Sequence, residues 1–542
     1  MSVDTQSGDP EFSTWRRYLW PVHHYELKKL IPMLLIFFLI SFNYNVLRTL
    51  KDTLLITAKS SGAEVIPFVK VWAMFPGSIL MTLLYTWLSN RFSRERVSYI
   101  IISIFLIYFF IFTFVLYPIR DMIHPHATAD ALEAYLPLGF KGFIAMFRYW
   151  SFTLFYVGSE LWGNIVMFVL VWGFANQVTK LGEAKRFYGL FGVGTNIAGV
   201  FAGQASIYCC LYTESGGTIP LGEDPWHQSL IMMVSLVLLA GLLSVFLFRW
   251  INAQVLKNEC YQQEGSLGQK EEEVQEKLSL KQSFAILLRS KYLICIAVTV
   301  VAYNAGINLL EVMWKYQVKE LYPNPKDFTL YMNEIVSIIS IVATLSSLFV
   351  SGNAIRKRGW TFTAVLTPII LFVTSITFFA FFFLKNQSPA LVFSLIGTSP
   401  LVAVVFFGSL QNILCRAAKY SVFDSTKEMA FVPLSSNSKI VSKAAIDGVC
   451  SRLGKSGGSM IHQSLLLFFA TLTASAPYVL GVLLVILVVW VVAIRRIGHQ
   501  FKELANQSET VPTSASSQLV PVRTAINLLQ PSHALLKEQQ AH

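Results

Sequence analysis

Apolar runs long enough to cross a bilayer recur about a dozen times along this chain, near 30–56, 65–88, 97–117, 143–176, 187–210, 227–250, 287–314, 329–351, 361–384, 390–415, 445–470 and 476–494. About 20 apolar residues span the hydrocarbon as a helix, and lipid offers nothing to satisfy an open backbone. The runs therefore predict an all-α polytopic membrane protein with about 12 transmembrane helices. Composition agrees, with 54% of residues hydrophobic and only 14% charged. The net charge of +12 does not point to nucleic acid, because the Lys and Arg residues sit mostly in short loops between apolar runs, where they set orientation. The six cysteines have no metal-ligand spacing, and no catalytic residue, metal or cofactor is expected.

Run 143–176 exceeds one crossing but is counted once, because only then do the loops alternate in charge. Arg91, Arg94 and Arg96, then Lys180, Lys185 and Arg186, then Arg356, Lys357 and Arg358 fall on one side, while Glu214, Glu223 and Asp224 fall on the other. That alternation predicts cytoplasmic N- and C-termini in a multi-pass protein of the cell (inner) membrane. The polar start MSVDTQSGDPEF and the absence of a small-residue cleavage site predict that the first helix is retained. The expected organisation is a cytoplasmic N-terminus (1–29), a six-helix half (30–251), a charged cytoplasmic linker (252–286), a second six-helix half (287–496) and a largely disordered cytoplasmic tail (497–542). The halves echo each other: Tyr44-Asn45 is followed at seven residues by Asp52, and Tyr303-Asn304 at seven by Glu311. Two parallel six-helix pseudo-repeats in a major-facilitator-like arrangement follow, with a site at their interface near mid-membrane.

Charge inside the apolar runs is the second constraint. Arg48, Lys51, Lys70, Arg148 and Lys455 all fall there, and each central Lys or Arg costs about 2.5–3.5 kcal/mol on insertion scales. Asn304, Asn308, Glu311 and Lys315 lie at i, i+4, i+7 and i+11, which makes one polar stripe on a helix; Ser41, Asn45, Arg48 and Asp52 repeat the spacing. Mutual ion pairing explains single members of this set, but not its excess of cations, which calls for an anionic ligand. The carboxylates Asp52, Glu160, Glu311 and Glu334 are candidates for neutralising the cations or for coupling. His462 reads first as a hydrogen-bonded packing residue and second as a proton group.

Gly454-Lys455-Ser456 ends like a phosphate-binding loop, yet the pattern needs Gly at 449, where this chain has Val449. An ATPase is excluded on that ground, while Gly457 and Gly458 are expected to let Lys455 and backbone amides approach phosphate oxygens.

The strings LRTLKDTLLITAKSSGAEVIPFVKVW, FRYWSFTLFYVGSELWGN, INLLEVMWK, LQNILCRAAKYSVFDSTKEMAFVPL and KAAIDGVCSRLGKSGG closely resemble the nucleotide transporter family, the ATP/ADP translocases of plastids and obligate intracellular bacteria. The resemblance covers about 20–500 and implies a nucleotide carrier rather than an enzyme. Four charged positions important in the family fall on Lys70, Glu160, Glu311 and Lys455. Arg48-Thr49-Leu50-Lys51-Asp52, Asn304 and Ile461-His462-Gln463 depart from the exchanger pattern. The chain is thus more similar to the paralogue that takes up nucleoside triphosphates with protons.

Electrostatics sharpen that expectation. One charge moved against 100 mV costs about 2.3 kcal/mol, so net import of a tetra-anion into a negative interior costs roughly 9 kcal/mol. Exchange for a trianion, or entry with protons, removes most of this. The function expected is import of ATP and other nucleoside triphosphates with protons, the alternative being exchange of external ATP for internal ADP. Lys70, Lys455, Arg48, Lys51 and Arg148 are expected to clamp phosphates, Asn45, Asn304 and Asn308 to contact base or ribose, and Glu160, Glu311 and Asp52 to serve coupling or charge pairing.

Overall fold

The computed structural model describes residues 22–23, 26–179, 181–217, 221–255, 290–349, 359–434 and 442–509. The charged linker beyond 255, most of the N-terminus and the tail from 510 lie outside the described residues, as do Lys180 and Arg356–Arg358. Among those described, every regular element is helical. Ten membrane-length apolar helices come first: α1 (Leu27–Ile56), α2 (Val65–Arg91), α3 (Arg94–Leu116), α4 (Trp150–Asn176), α5 (Phe187–Glu214), α6 (Pro225–Gln254), α7 (Lys291–Leu321), α8 (Pro325–Leu348), α9 (Trp360–Gln387) and α10 (Pro400–Ala430). After these comes α11 (Ser451–Phe469), and then α12 (Leu472–Phe501), the eleventh apolar span. The expected run at 445–470 is α11, which carries Arg452, Lys455, Ser456, Ser459, His462 and Gln463 and is too polar to count among the apolar eleven. Its polarity is intelligible only if one face avoids lipid.

Run 143–176 crosses once, as α4. A short helix, Lys141–Arg148, precedes it and ends at Tyr149, whose φ of −105° and ψ of 50° break the helix. Arg148 therefore lies before the fourth membrane helix and not within it.

The helices sort into two groups. α1 packs on α4, α5 and α6, and α7 packs on α10, α11 and α12. Aromatic side chains fill the first group, where Trp162 meets Phe105 and Phe109 and donates through Nε1 to the Ile40 carbonyl at 3.2 Å. The groups meet along α5 and α8, along α2 and α11, and where α1 approaches α8. Small residues make the first seam close: a Cβ on Gly199 would strike Ser340 Oγ, and one on Gly203 would strike Ser337 Oγ and come within 2.8 Å of the Asn333 carbonyl. This is the small-xxx-small spacing by which membrane helices bring their backbones together. Gly203→Leu is expected to destabilise the carrier by about 1–3 kcal/mol or more through overpacking. Gly192→Ala, at a position with nothing within 4 Å, is expected to leave thermal unfolding in detergent unchanged.

Contacts between the groups concentrate toward the C-terminal ends of α1 and α7. Thr53 and Thr329 hydroxyls lie 2.8 Å apart, Lys319 Nζ donates to the Ser61 carbonyl, and Gly139 abuts the Leu466–Leu467 backbone of α11. Toward the opposite end, the later turns of α2, α4 and α10 pack chiefly within their own groups. Among the described residues, these polar and close contacts between the halves lie toward one end.

Candidate functional site

Periodicity brings the polar stripes of α1 and α7 face to face. Asp52 is the hub of the sealed part: its Oδ1 accepts from Lys51 Nζ at 3.0 Å and its Oδ2 from Lys315 Nζ at 2.7 Å, across the boundary between the halves. Lys51 also reaches Glu160 Oε1 on α4 at 3.1 Å and lies 3.8 Å above the Tyr156 ring. Lys315 pairs with Glu311 Oε1 one turn earlier on α7, at 2.8 Å. Glu311 Oε1 further receives Arg416 at 3.0 Å and Arg48 at 3.8 Å.

A second polar group lies beside the first. Lys70 Nζ donates to Asn308 Oδ1, and Asn308 Nδ2 donates to the Lys455 carbonyl at 2.9 Å and to Ser459 Oγ at 2.7 Å. One asparagine thus ties α2, α7 and α11 together. Lys70 sits in a π-helical turn, Val69–Met74, and similar turns follow Glu160 and Arg416 and precede Lys455. Such turns shift side-chain direction without ending the helix and recur at functional positions.

Solvent access divides the set. The side chains of Lys51, Asp52 and Lys315 are 1–3% exposed, whereas Arg48, Glu311 and Arg416 are 14–17% exposed and Glu160 is 23% exposed. The first three form a closed electrostatic core; the others, with Lys70 and exposed Lys455, border the space between the halves. Among these residues six cations face three carboxylates, a surplus of three positive charges. A cavity touching Arg48, Asp52, Asn412 and Arg416 is walled on its apolar side by Trp314 and Met332.

Several expected members are placed elsewhere or otherwise. Arg148 is not part of this network: its guanidinium pairs with Asp130 at 2.6 Å and Glu133 at 3.0 Å, beyond the start of α4. The amide of Asn45 donates to the Ser41 carbonyl and that of Asn304 to the Val300 carbonyl, each at 2.8 Å, so one of the two N–H donors of each is used within its own helix. Glu334 is exposed on α8. His462 is buried at 1% exposure with no hydrogen-bond partner for either ring nitrogen among the described residues, contrary to the expected hydrogen-bonded packing role. Gly454 and Gly458 lie inside α11, where their missing side chains let the helix approach the Val301 and Ala305 carbonyls of α7. The amides of Gly457 and Gly458, expected to approach phosphate, lie in mid-helix turns of α11, and a Cβ at Gly457 would meet nothing within 4 Å.

Arg416 was not anticipated. The apolar run read from sequence stops at 415, but α10 continues to Ala430, which carries Arg416 into mid-helix and sets Lys419 against Asp424 at 3.0 Å. The burial rule that singled out Lys70 would have singled out Arg416 had the helix been extended.

Comparison with known proteins accords with this geometry. The family model described as TLC ATP/ADP transporter matches residues 5–501. "ADP,ATP carrier protein 1" of Chlamydia pneumoniae is 42% identical over 497 residues, covering 92% of this chain and 96% of that protein. "ADP,ATP carrier protein 2, chloroplastic" of Arabidopsis thaliana is 42% identical over 499 residues, covering 92% of this chain and 78% of that protein. Among solved structures, a bacterial homologue of the iron transporter ferroportin aligns with a TM-score of 0.54 at 13% identity, covering 87% of this chain and 98% of that one. That likeness gives the major-facilitator-like fold alone. The chain is therefore a multi-pass membrane protein of the ATP/ADP transporter family, a nucleotide carrier and not an enzyme.

Proposed function

We propose that this carrier moves nucleoside polyphosphates through the space between α1–α6 and α7–α12, exposing one site to each side in turn. The carrying observation is the surplus of cations bordering that space. Polyphosphate supplies the missing negative charge, and guanidinium and ammonium groups bind phosphate with hydrogen bonds about twice as strong as neutral ones. Lys70, Lys455 and Arg48 are the proposed clamp, with Asn308 positioning Lys70, while sealed Lys51 holds Asp52 and Glu160 behind them. Residues 30–251 and 287–496 are the proposed rocking units and 252–286 the linker between them. With the N-terminus inside, as the loop charges predict, the end where the halves touch through Thr53, Thr329 and Lys319 faces outward.

Exchange of ATP for ADP is the coupling we propose. It is supported by the names of the relatives and by the pairing of Asp52, Glu160 and Glu311, each of which already has a cation for its charge. Proton-coupled uptake of nucleoside triphosphates is the second reading, favoured by Thr49-Leu50, Asn304 and buried His462. Proteoliposomes separate the two. Labelled ATP is expected to enter vesicles preloaded with ADP and not empty ones, and to be unaffected by a protonophore. Uptake into empty vesicles that collapses with the protonophore establishes proton coupling instead.

A further inference from the structure

We propose that Arg48 and Arg416, one from each half, form a phosphate site that the Glu311 carboxylate fills while the carrier is empty, so that nucleotide and Glu311 compete for the same guanidinium groups. The proposal rests on the nucleotide-carrier reading and adds a residue, Arg416, and a reason for Glu311 to be where it is.

A single oxygen, Glu311 Oε1, lies 3.0 Å from Arg416 and 3.8 Å from Arg48. A planar acid between two guanidinium groups presents oxygens much as a terminal phosphate does. Both arginines and Glu311 keep a measure of solvent access, in contrast to the sealed Lys51, Asp52 and Lys315. An incoming ligand can therefore reach the first group and not the second. Arg416 also holds a donor in reserve: its Nε is buried with no acceptor among the described residues. Glu311 is not left unpaired when the arginines are taken, since Lys315 already holds the same oxygen at 2.8 Å from its own helix. Both arginines line the cavity that Trp314 closes on its apolar side.

The arrangement has a mechanical consequence. Arg48 belongs to α1, and Glu311 and Arg416 belong to α7 and α10, so the acid bridges the two halves. A phosphate carrying more charge than a carboxylate takes over the arginines, and Glu311 keeps only Lys315. Nucleotide then replaces an internal tie between the halves rather than adding a new one.

Equilibrium binding of ATP to the purified full-length carrier, with uptake measured in liposomes, tests this. Glu311→Gln removes the competing charge and is expected to tighten ATP binding about tenfold while slowing uptake, because the empty carrier loses its tie. Arg416→Gln is expected to weaken binding by a similar factor. Arg416→Lys is expected to recover part of it, since an ammonium lacks the planar fork. Should Glu311→Gln not fold, Glu311→Asp keeps a charge near Lys315, withdraws it from the arginines, and is expected to tighten binding likewise. Weaker ATP binding in the folded Glu311 variant, or unchanged binding in Arg416→Gln, overturns the proposal. Absence of nucleotide binding by the unsubstituted carrier would instead overturn the reading on which it rests.

Discussion

Asp52→Asn is expected to destabilise the folded carrier by about 3 kcal/mol. Asp52 is 1% exposed and stands between Lys51 and Lys315, which are themselves sealed. Neutralising it leaves two ammonium groups with one fewer counter-charge in a medium that cannot hydrate them. Breaking a buried pair from one side costs about 3–5 kcal/mol, against a typical total stability of about 5–15 kcal/mol. Lys315 retains Glu311 and Lys51 retains Glu160, which places the cost toward the lower figure and makes rescue feasible. The double variant Asp52→Asn with Lys315→Gln is expected to regain part of the loss, since neighbouring charges couple non-additively. Thermal unfolding of the detergent-solubilised protein reads both effects. A single variant as stable as the parent would show that the cluster is not sealed.

Lys70→Gln and Lys455→Gln are expected to fold and yet to lose nucleotide. The glutamine amide that replaces the Lys70 ammonium keeps a donor for Asn308 Oδ1, and Lys455 contributes only its backbone carbonyl to the Asn308 bridge, so neither substitution exposes a buried charge. What each removes is a charged partner for phosphate, worth about 1.5–3 kcal/mol. Apparent affinity for ATP in liposome uptake should fall about 10-fold to 100-fold per substitution. An unchanged affinity in both variants would remove these lysines from the clamp.

The helical frame was legible because lipid imposes one length and one closure rule on every crossing, and the meeting of α1 with α7 because both stripes share the helical period. Asp52 and Glu311, paired in sequence by the Tyr-Asn echo, do lie on one continuous charge network. Local breaks were less legible. Tyr149 ends the short helix inside a run that stays apolar and aromatic on both sides of Arg148, so the sequence reads through the break that puts Arg148 outside α4. Arg416 was hidden by the opposite effect: a polar stretch, Arg416 to Lys427, continues a helix whose inner face is bordered by protein and not by lipid. The glycines of α11 show a third limit. A phosphate cradle and a close helix crossing demand the same small residues, and only the position of α7 distinguishes them.

Equilibrium binding of ATP, ADP, AMP and adenosine to the purified carrier at low and high salt reads directly whether the buried cations hold the phosphates. If the buried cations hold the polyphosphate, affinity falls stepwise with each phosphate removed, adenosine binds weakly, and added salt weakens ATP far more than adenosine. Adenosine binding as tightly as ATP, with no response to salt, would contradict it.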